Sequence, residues 1–270
     1  MKKKVKLGIK VAIKTLPTAK RKISAADSFT LFLYGPEGIG KTTFASKADD
    51  PLIIATEAGY KFVEAYVEET STWEEFVATI DAIEVAWRDD PDGFRYGALA
   101  VDTVDNAFAL CQSFVCTKLG IDHPSDEEWG KGYQAVSTEF THQMTRLALI
   151  DKQLILISHE KTIEVKGRVL KTMKIVPTLS STGRRVILPM VDIIGHCGYR
   201  MGADGEATSE RVIEFNPSET MEAKDRTGLL PKVLPLNYTA FRQYLNGEKV
   251  KAVKGSGTKT SLPKIKRHVR

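Results

Sequence analysis

The sequence has no apolar run approaching the ~20 residues that a membrane-spanning helix needs. Its lysine-rich start also lacks the apolar stretch of about 7 to 15 residues that is typical of a secretory signal peptide. From these two absences we predict a cytoplasmic protein with no membrane partner.

Cysteine is also scarce. The chain has three cysteines, Cys111, Cys116 and Cys197, and none of them forms a C-x-x-C pair. An odd number without such a pair argues against a disulfide framework and against a zinc site. We expect Cys111 and Cys116, which fall in a predicted helix, to be buried as small apolar residues.

Acidic residues are missing from both ends of the chain. Residues 1–24 carry nine Lys and Arg, and residues 249–270 carry eight. The remaining 22 basic and 34 acidic residues give the core a net charge of −12, although the whole chain is +5. Such basic ends either contact phosphate backbones or are solvated tails. We therefore divide the chain into a basic N-terminal segment 1–24, a core domain 25–248 and a flexible basic tail 249–270.

The most informative motif is a glycine-containing loop between an apolar strand, Thr30 to Tyr34, and a helix. The loop matches the pattern G-x-x-x-x-G-K-[ST]. Its backbone N–H groups and the helix N-terminus are suited to phosphate oxygens, so we predict that the chain binds ATP. Lys41 is expected to reach the β- and γ-phosphates, and the Thr42 hydroxyl to ligate Mg²⁺. The predicted contact residues are Gly35, Pro36, Glu37, Gly38, Ile39, Gly40, Lys41, Thr42 and Thr43.

A second apolar strand, predicted from Ala98 to Val104, supplies a candidate metal ligand. Asp102 stands near its end, where a phosphate-loop protein presents a carboxylate to the Mg²⁺ shell. Thr103 then occupies the position at which many hydrolytic motors carry a glutamate that activates water. We therefore expect the catalytic base to come from another strand.

Two more residues follow predicted strands and are candidates for catalysis. Glu57 follows the strand Leu52 to Thr56, and the carboxyl ends of strands in an open α/β sheet converge on the ligand crevice. We predict that Glu57 orients and deprotonates the attacking water; a plain turn residue is the alternative. His159 follows the strand Leu154 to Ser158 and is expected to sense the γ-phosphate. A structural histidine is the alternative there.

Alternating strands and helices predict the fold class. The 270 residues, 42% hydrophobic and 27% charged, suit one large α/β domain with a mainly parallel central sheet and flanking helices. In the C-terminal half, two hairpin patterns predict antiparallel strands appended to that sheet. The predicted helices are Trp73 to Trp87, Asn106 to Leu119 and Glu127 to Ile150; the predicted hairpin strands are Thr162 to Val165 with Val169 to Ile175, and Ile193 to Met201 with Glu210 to Phe215.

In this order, the motifs resemble those of the RecA-like P-loop ATPases. The shared features are the loop Gly35 to Thr43, the Glu57 position, Val101-Asp102-Thr103 and the polar end at Ser158-His159. In its sequence motifs and its length, the chain is most similar to phage-encoded RecA-like nucleotide-binding proteins, some of which act as single-strand annealing recombinases. The resemblance covers about residues 25 to 245 and implies that 25–248 is a RecA-like ATPase domain.

The resemblance also implies an assembly. The string Ala223 to Gly228 looks like the Lys-x-Arg-x-Gly finger of the DnaB-type hexameric helicases, so Lys224 and Arg226 would reach the nucleotide of a neighbouring subunit in a homo-oligomer. Local ion pairing in a solvated turn is the alternative for these two residues.

The implied nucleic-acid partner is single-stranded DNA, and a single-strand DNA-binding protein is a further candidate partner. In the RecA-like family, the loops after the strand that here ends at Ser158 carry DNA. Here the region after Ser158 is locally basic, although it has no obvious aromatic platform for stacking bases. Its basic residues are Lys161, Lys166, Arg168, Lys171, Lys174, Arg184 and Arg185. Two other functions stay open, a nucleotide-switched phage assembly factor and a small-molecule kinase.

Overall fold

The structure is a computed structural model that describes residues 28–166 and 171–248. The two predicted basic segments, 1–24 and 249–270, lie outside these residues. The strands are β1 Thr30–Gly35, β2 Pro51–Ala55, β3 Tyr66–Glu69, β4 Ala98–Asp102, β5 Gln153–Lys166, β6 Lys171–Pro177, β7 Ile193–Met201, β8 Ala207–Glu214, β9 Lys224–Asp225 and β10 Val233–Pro235. The α-helices are α1 Lys41–Ala45, α2 Trp73–Asp89, α3 Val104–Leu119, α4 Lys131–Leu149, α5 Ser181–Met190 and α6 Tyr238–Leu245.

One sheet organises the described part of the chain. Its order is β10-β8-β7-β1-β5-β4-β2-β3, and the six strands from β7 to β3 in that order run parallel. The strands β8 and β10 continue it in antiparallel pairing, β9 pairs with the start of β7, and β6 forms an antiparallel ribbon with β5. The predicted class is therefore confirmed: a mainly parallel α/β sheet with antiparallel strands in the C-terminal half.

The central strands are buried on both faces, which accounts for their continuous apolar runs. Along β1, Leu31 and Leu33 face the core layer of α1 and α6, whereas Phe32 and Tyr34 face the layer of α2, α3 and α4. All four side chains are buried. Because side chains alternate along the strand, one apolar segment contributes to both cores.

No helix in the described residues is long and apolar enough to span a membrane.

Local capping sets where the helices begin. At α2, Thr72 accepts a hydrogen bond from the Glu75 backbone N–H, and the Glu75 side chain accepts one from Thr72, a capping box. At α3, Thr103 is the N-cap. Two predicted boundaries are therefore wrong: the strand from Ala98 ends at Asp102, and the helix starts at Val104 because Thr103 caps it.

Other differences reflect tertiary pairing that the pattern did not reveal. The predicted strand ending at Ser158 continues without interruption to Lys166, because its second half pairs with β6 after its first half pairs with β1 and β4. The helix predicted from Glu127 begins at Lys131, after two short 3-10 turns. Sequence reasoning also missed β3, α5, β9, β10 and α6.

The close approach of β1 to β7 generates a stability prediction. An added Cβ at Gly35 would overlap the carbonyl oxygen of Cys197 and lie 3.0 Å from the Cys197 Cβ. We expect Gly35→Ala to lower the free energy of unfolding by about 2 kcal/mol or more, as overpacking of a backbone contact does. Chemical denaturation of the nucleotide-free protein measures this, with the exposed Ser113→Ala as control. Equal stability of the two variants would contradict the close packing.

Candidate nucleotide-binding site

A pocket of about 560 Å³ opens at the carboxyl ends of the parallel strands β1, β2, β4 and β5. This edge is where open α/β sheets bind their ligands. Most of the residues predicted from the sequence line it: Glu37, Gly38, Gly40, Lys41, Thr42, Thr43, Glu57, Asp102 and His159. Parallel pairing thus brings side chains that are more than a hundred residues apart in sequence into one cavity.

The phosphate loop connects β1 to the N-terminus of α1. Gly40 precedes the helix with φ 110°, a backbone conformation that disfavours any side chain. The Lys41 ammonium lies inside the loop and donates hydrogen bonds of 2.8 Å to the carbonyls of Gly35 and Pro36. Burial lowers the pKa of Lys41, while the charges of Asp102 and Glu57 act in the opposite direction. The loop therefore keeps a partly desolvated amine at the position where the motif predicts phosphate oxygens.

The two predicted metal ligands are in direct contact. The Thr42 hydroxyl donates a 2.6 Å hydrogen bond to Oδ2 of Asp102, which is only 4% exposed. Burial raises the Asp102 pKa, and the Thr42 hydrogen bond partly opposes that rise. A hydroxyl and a carboxylate are hard oxygen ligands that suit Mg²⁺. The described residues hold no group of three or more His, Cys, Asp or Glu side chains that could bind a metal, so Mg²⁺ here would take its other ligands from substrate phosphates and water.

Glu57 is held by three polar side chains that come from the end of β4, from α3 and from β5. Its Oε1 atom accepts hydrogen bonds from the Thr103 hydroxyl at 2.7 Å and from Nδ2 of Asn106 at 3.2 Å, and lies 3.3 Å from Nε2 of His159. Thr103, which precedes α3, thus orients a glutamate that follows the neighbouring strand β2. Asn106 was missed by sequence reasoning; its signal was its place one helical turn after Thr103.

A second, half-buried carboxylate contacts the middle of β5, where His159 lies. Asp105 accepts hydrogen bonds from the hydroxyls of Ser158 and Thr178, at 3.0 and 2.9 Å, and from the backbone N–H of His159 at 3.3 Å. Burial raises the Asp105 pKa, and these donors act in the opposite direction. The part of the strand that carries His159 is therefore tied to the first turn of α3. Asp105 was also missed, because an acid in a first helical turn is ordinarily explained by the helix dipole.

Lys224 and Arg226 lie far from the pocket, at the amino-terminal ends of the parallel strands and beside the start of β7. The Lys224 ammonium donates to the carbonyls of Leu188 and Val191, at 3.0 and 2.6 Å, and so caps the end of α5. Burial lowers its pKa. Arg226 contacts Asp192 and the carbonyl of Pro189. Both residues thus have partners within their own chain, and their action on a neighbour's nucleotide stays a prediction.

Three of the seven basic residues after Ser158 are paired with acids. Lys171 lies 2.9 Å from Glu164, and Lys174 and Arg184 both contact Glu222, at 3.3 and 3.8 Å. The other predicted basic residues are Lys161, which donates to the Thr178 carbonyl, Arg185, beside α4, and Lys166 and Arg168, whose side chains lie outside the described residues.

The fold, the loop and the Thr42–Asp102 contact define the class of protein: a P-loop nucleotide-binding α/β domain. A comparison with protein families assigns it further. The model of the AAA domain family matches residues 28–227, most of the chain, and the chain belongs to this family. A comparison with curated proteins found no match. The finer resemblance to phage-encoded RecA-like proteins stays a prediction.

The raised pKa of Asp102 leads to a test of its environment. Because the folded protein favours protonated Asp102, the ionised carboxylate destabilises the fold above the ordinary aspartate pKa. We expect Asp102→Asn to raise the melting temperature of the nucleotide-free protein at pH 7, and the gain to vanish as the pH falls below the ordinary aspartate value.

The same thermal melts, repeated with Mg²⁺ and ADP, provide the control. The ligand should stabilise the wild type more than Asp102→Asn, because the variant loses a metal ligand. If nucleotide-free Asp102→Asn melts at a lower temperature than the wild type at pH 7, the ionised Asp102 carboxylate does not destabilise the fold, and the prediction is wrong.

Proposed function

We propose that this protein is a Mg²⁺-dependent ATPase in which Glu57 is the general base. The observation that carries the proposal is the convergence of Thr103, Asn106 and His159 on Oε1 of Glu57 within the pocket that also holds Lys41 and Asp102. A carboxylate that only ended a strand would not need three side-chain partners from three elements.

The geometry suggests a separate role for each of these residues. Lys41 and the loop N–H groups bind the phosphates, and bound Mg²⁺ would be held by Thr42 and Asp102 and would neutralise developing charge. All three contacts to Glu57 go to Oε1, so we assign Oε2 to the attacking water, whose proton it accepts. Nε2 of His159 lies beside Glu57 and faces the pocket, where loss of the γ-phosphate would change its surroundings.

The pocket lining favours hydrolysis over transfer to a second small molecule. A small-molecule kinase needs several arginines around two phosphoryl groups, and the described residues contribute no arginine to this lining. Glu57 stands instead where a water molecule can be activated. The kinase alternative would gain support only from direct phosphoryl transfer to an acceptor.

The first test separates binding from turnover. Glu57→Gln keeps the size and most hydrogen bonds of the side chain but removes the base, so we expect nucleotide affinity within about threefold of wild type and turnover lowered by about 10²-fold or more. Phosphate release and nucleotide titration measure the two quantities. Glu64→Gln, an exposed position on the same connection, is the matched control. Wild-type turnover in Glu57→Gln would rule out Glu57 as the base.

A second candidate function, binding of single-stranded DNA, has support from one feature of the fold. The strand β5 continues from His159 directly into the antiparallel ribbon that it forms with β6. A change at His159 can therefore pass along one continuous strand to a ribbon that carries Lys161 and Lys171. We propose that this ribbon is the surface through which nucleotide state affects a nucleic-acid partner; a homo-oligomer on the DNA stays a prediction.

The ribbon is tested by charge removal. We expect Lys161→Gln with Lys171→Gln to weaken binding of single-stranded DNA and to reduce the slope of log affinity against log salt by about 0.7 for each phosphate that is no longer neutralised. Fluorescence anisotropy at several salt concentrations measures this, and Lys47→Gln with Lys118→Gln is the control pair. If DNA neither binds in a salt-dependent way nor stimulates ATP turnover, the assembly-factor alternative is favoured instead.

A further inference from the structure

An arginine that contacts the phosphate loop is paired across two strands with a tyrosine, and neither has a role in the hydrolysis described above. Tyr199 of β7 and Arg211 of β8 are direct partners across the antiparallel pair. Tyr199 is 44% exposed, although it is aromatic, and Arg211 is exposed too. Directly paired residues of neighbouring strands project on the same face, so the two side chains lie on one face of the sheet.

Their face of the sheet is the one that carries the loop and α1. Side chains alternate along a strand, so Tyr199 shares a face with Cys197, and Arg211 with Ile213. Cys197 and Ile213 both belong to the core layer beneath α1. The guanidinium of Arg211 also donates a 3.4 Å hydrogen bond to the carbonyl of Ile39 in the phosphate loop.

Arg211 reaches the rim of the nucleotide pocket itself. Its Nη1 atom lies 3.3 Å from where a Cβ would stand on Gly40, a residue that lines the pocket. A methyl carbon of Leu236 lies 3.6 Å from the same point. On the opposite face of the same two strands, the half-buried Arg200 forms a 2.6 Å ion pair with Glu210, whereas no ion pair of the described ranges 28–166 and 171–248 involves Arg211.

The direction of a bound triphosphate follows from the strand order. The residues assigned to the metal and the γ-phosphate come from β4, β2 and β5, which all lie on one side of β1. The strands β7 and β8 lie on the other side. A triphosphate laid along the loop with its terminal phosphate at Glu57 and His159 therefore directs its nucleoside toward Tyr199 and Arg211.

We propose that Tyr199 and Arg211 form the nucleoside subsite of this ATPase. The Tyr199 ring offers a flat apolar surface on which a nucleobase stacks, and the planar guanidinium of Arg211 packs beside it while its hydrogen bond to Ile39 joins the subsite to the loop. The side chain of Leu236 adds an apolar contact. The inference rests on the proposed nucleotide site and names the residues that bind the part of the substrate beyond the phosphates.

The test compares a nucleotide with inorganic tripolyphosphate, which has the same phosphate chain and no base. We expect Tyr199→Ala to weaken ATP binding by about tenfold, as loss of one base-stacking partner does, and to leave tripolyphosphate binding unchanged. Arg211→Ala also loses a hydrogen bond to the phosphate loop, so we expect it to weaken ATP binding more than tripolyphosphate binding. Tyr199→Phe keeps the ring and should keep wild-type ATP affinity. Met201→Ala, an exposed residue on the same strand, is the matched control.

Two results would overturn the subsite: unchanged ATP affinity in both alanine variants, or an equal loss of ATP and tripolyphosphate affinity. Titration of Lys41→Ala, which should lose both ligands, keeps this outcome separate from a failure of the nucleotide site. If Lys41→Ala binds ATP as well as wild type, the proposed ATPase site itself is wrong. If Lys41→Ala loses ATP binding, but both alanine variants of the subsite bind ATP as well as wild type, only the nucleoside subsite is wrong.

Discussion

The hydrogen bond between the Thr42 hydroxyl and Oδ2 of Asp102 is the contact on which the site depends. It is 2.6 Å long and joins the start of α1 to the end of β4. The strand β5 lies between β1, which leads into α1, and β4. The hydrogen bond therefore spans the gap left by one intervening strand. That inserted strand places His159 beside the phosphate loop, and β2 on the far side of β4 brings Glu57 to the same cavity. The strand order thus separates the Thr42–Asp102 contact from Glu57 and His159, and the proposed metal and water positions follow from that separation.

The site concentrates charged groups that are poorly solvated. Burial lowers the pKa of Lys41 and raises those of Asp102 and Asp105. Each shift records a free-energy cost to the folded chain in the ionised state, which is typical of sites that bind phosphate and metal. Bound phosphates and Mg²⁺ would supply opposite charges to these groups, so the proposed ligand binding is coupled to stability. The hydrogen bonds to Asp105 from Ser158 and Thr178 limit the cost while fixing the part of β5 that carries His159.

Local chemistry explains which features could be predicted from the sequence. The loop, Asp102, Glu57 and His159 follow or end apolar runs, and parallel strands end at one edge, so their convergence in one pocket could be predicted from the sequence. The short edge elements β9 and β10, and α5 with its internal Pro189, carry weak local signals and form through tertiary pairing. Asn106 and Asp105 were missed because their roles arise from neighbours distant in sequence. For the same reason, the partners of Lys224 at the end of α5 were not foreseen.

The central proposal is that these strand ends form one site that binds and hydrolyses ATP. The most direct measurement is phosphate release from ATP in the presence and absence of Mg²⁺, made in parallel on wild type and Lys41→Ala. We expect Mg²⁺-dependent release by the wild type and neither release nor nucleotide binding by Lys41→Ala. Equal release by the two proteins, or no nucleotide binding by the wild type, would contradict the proposal.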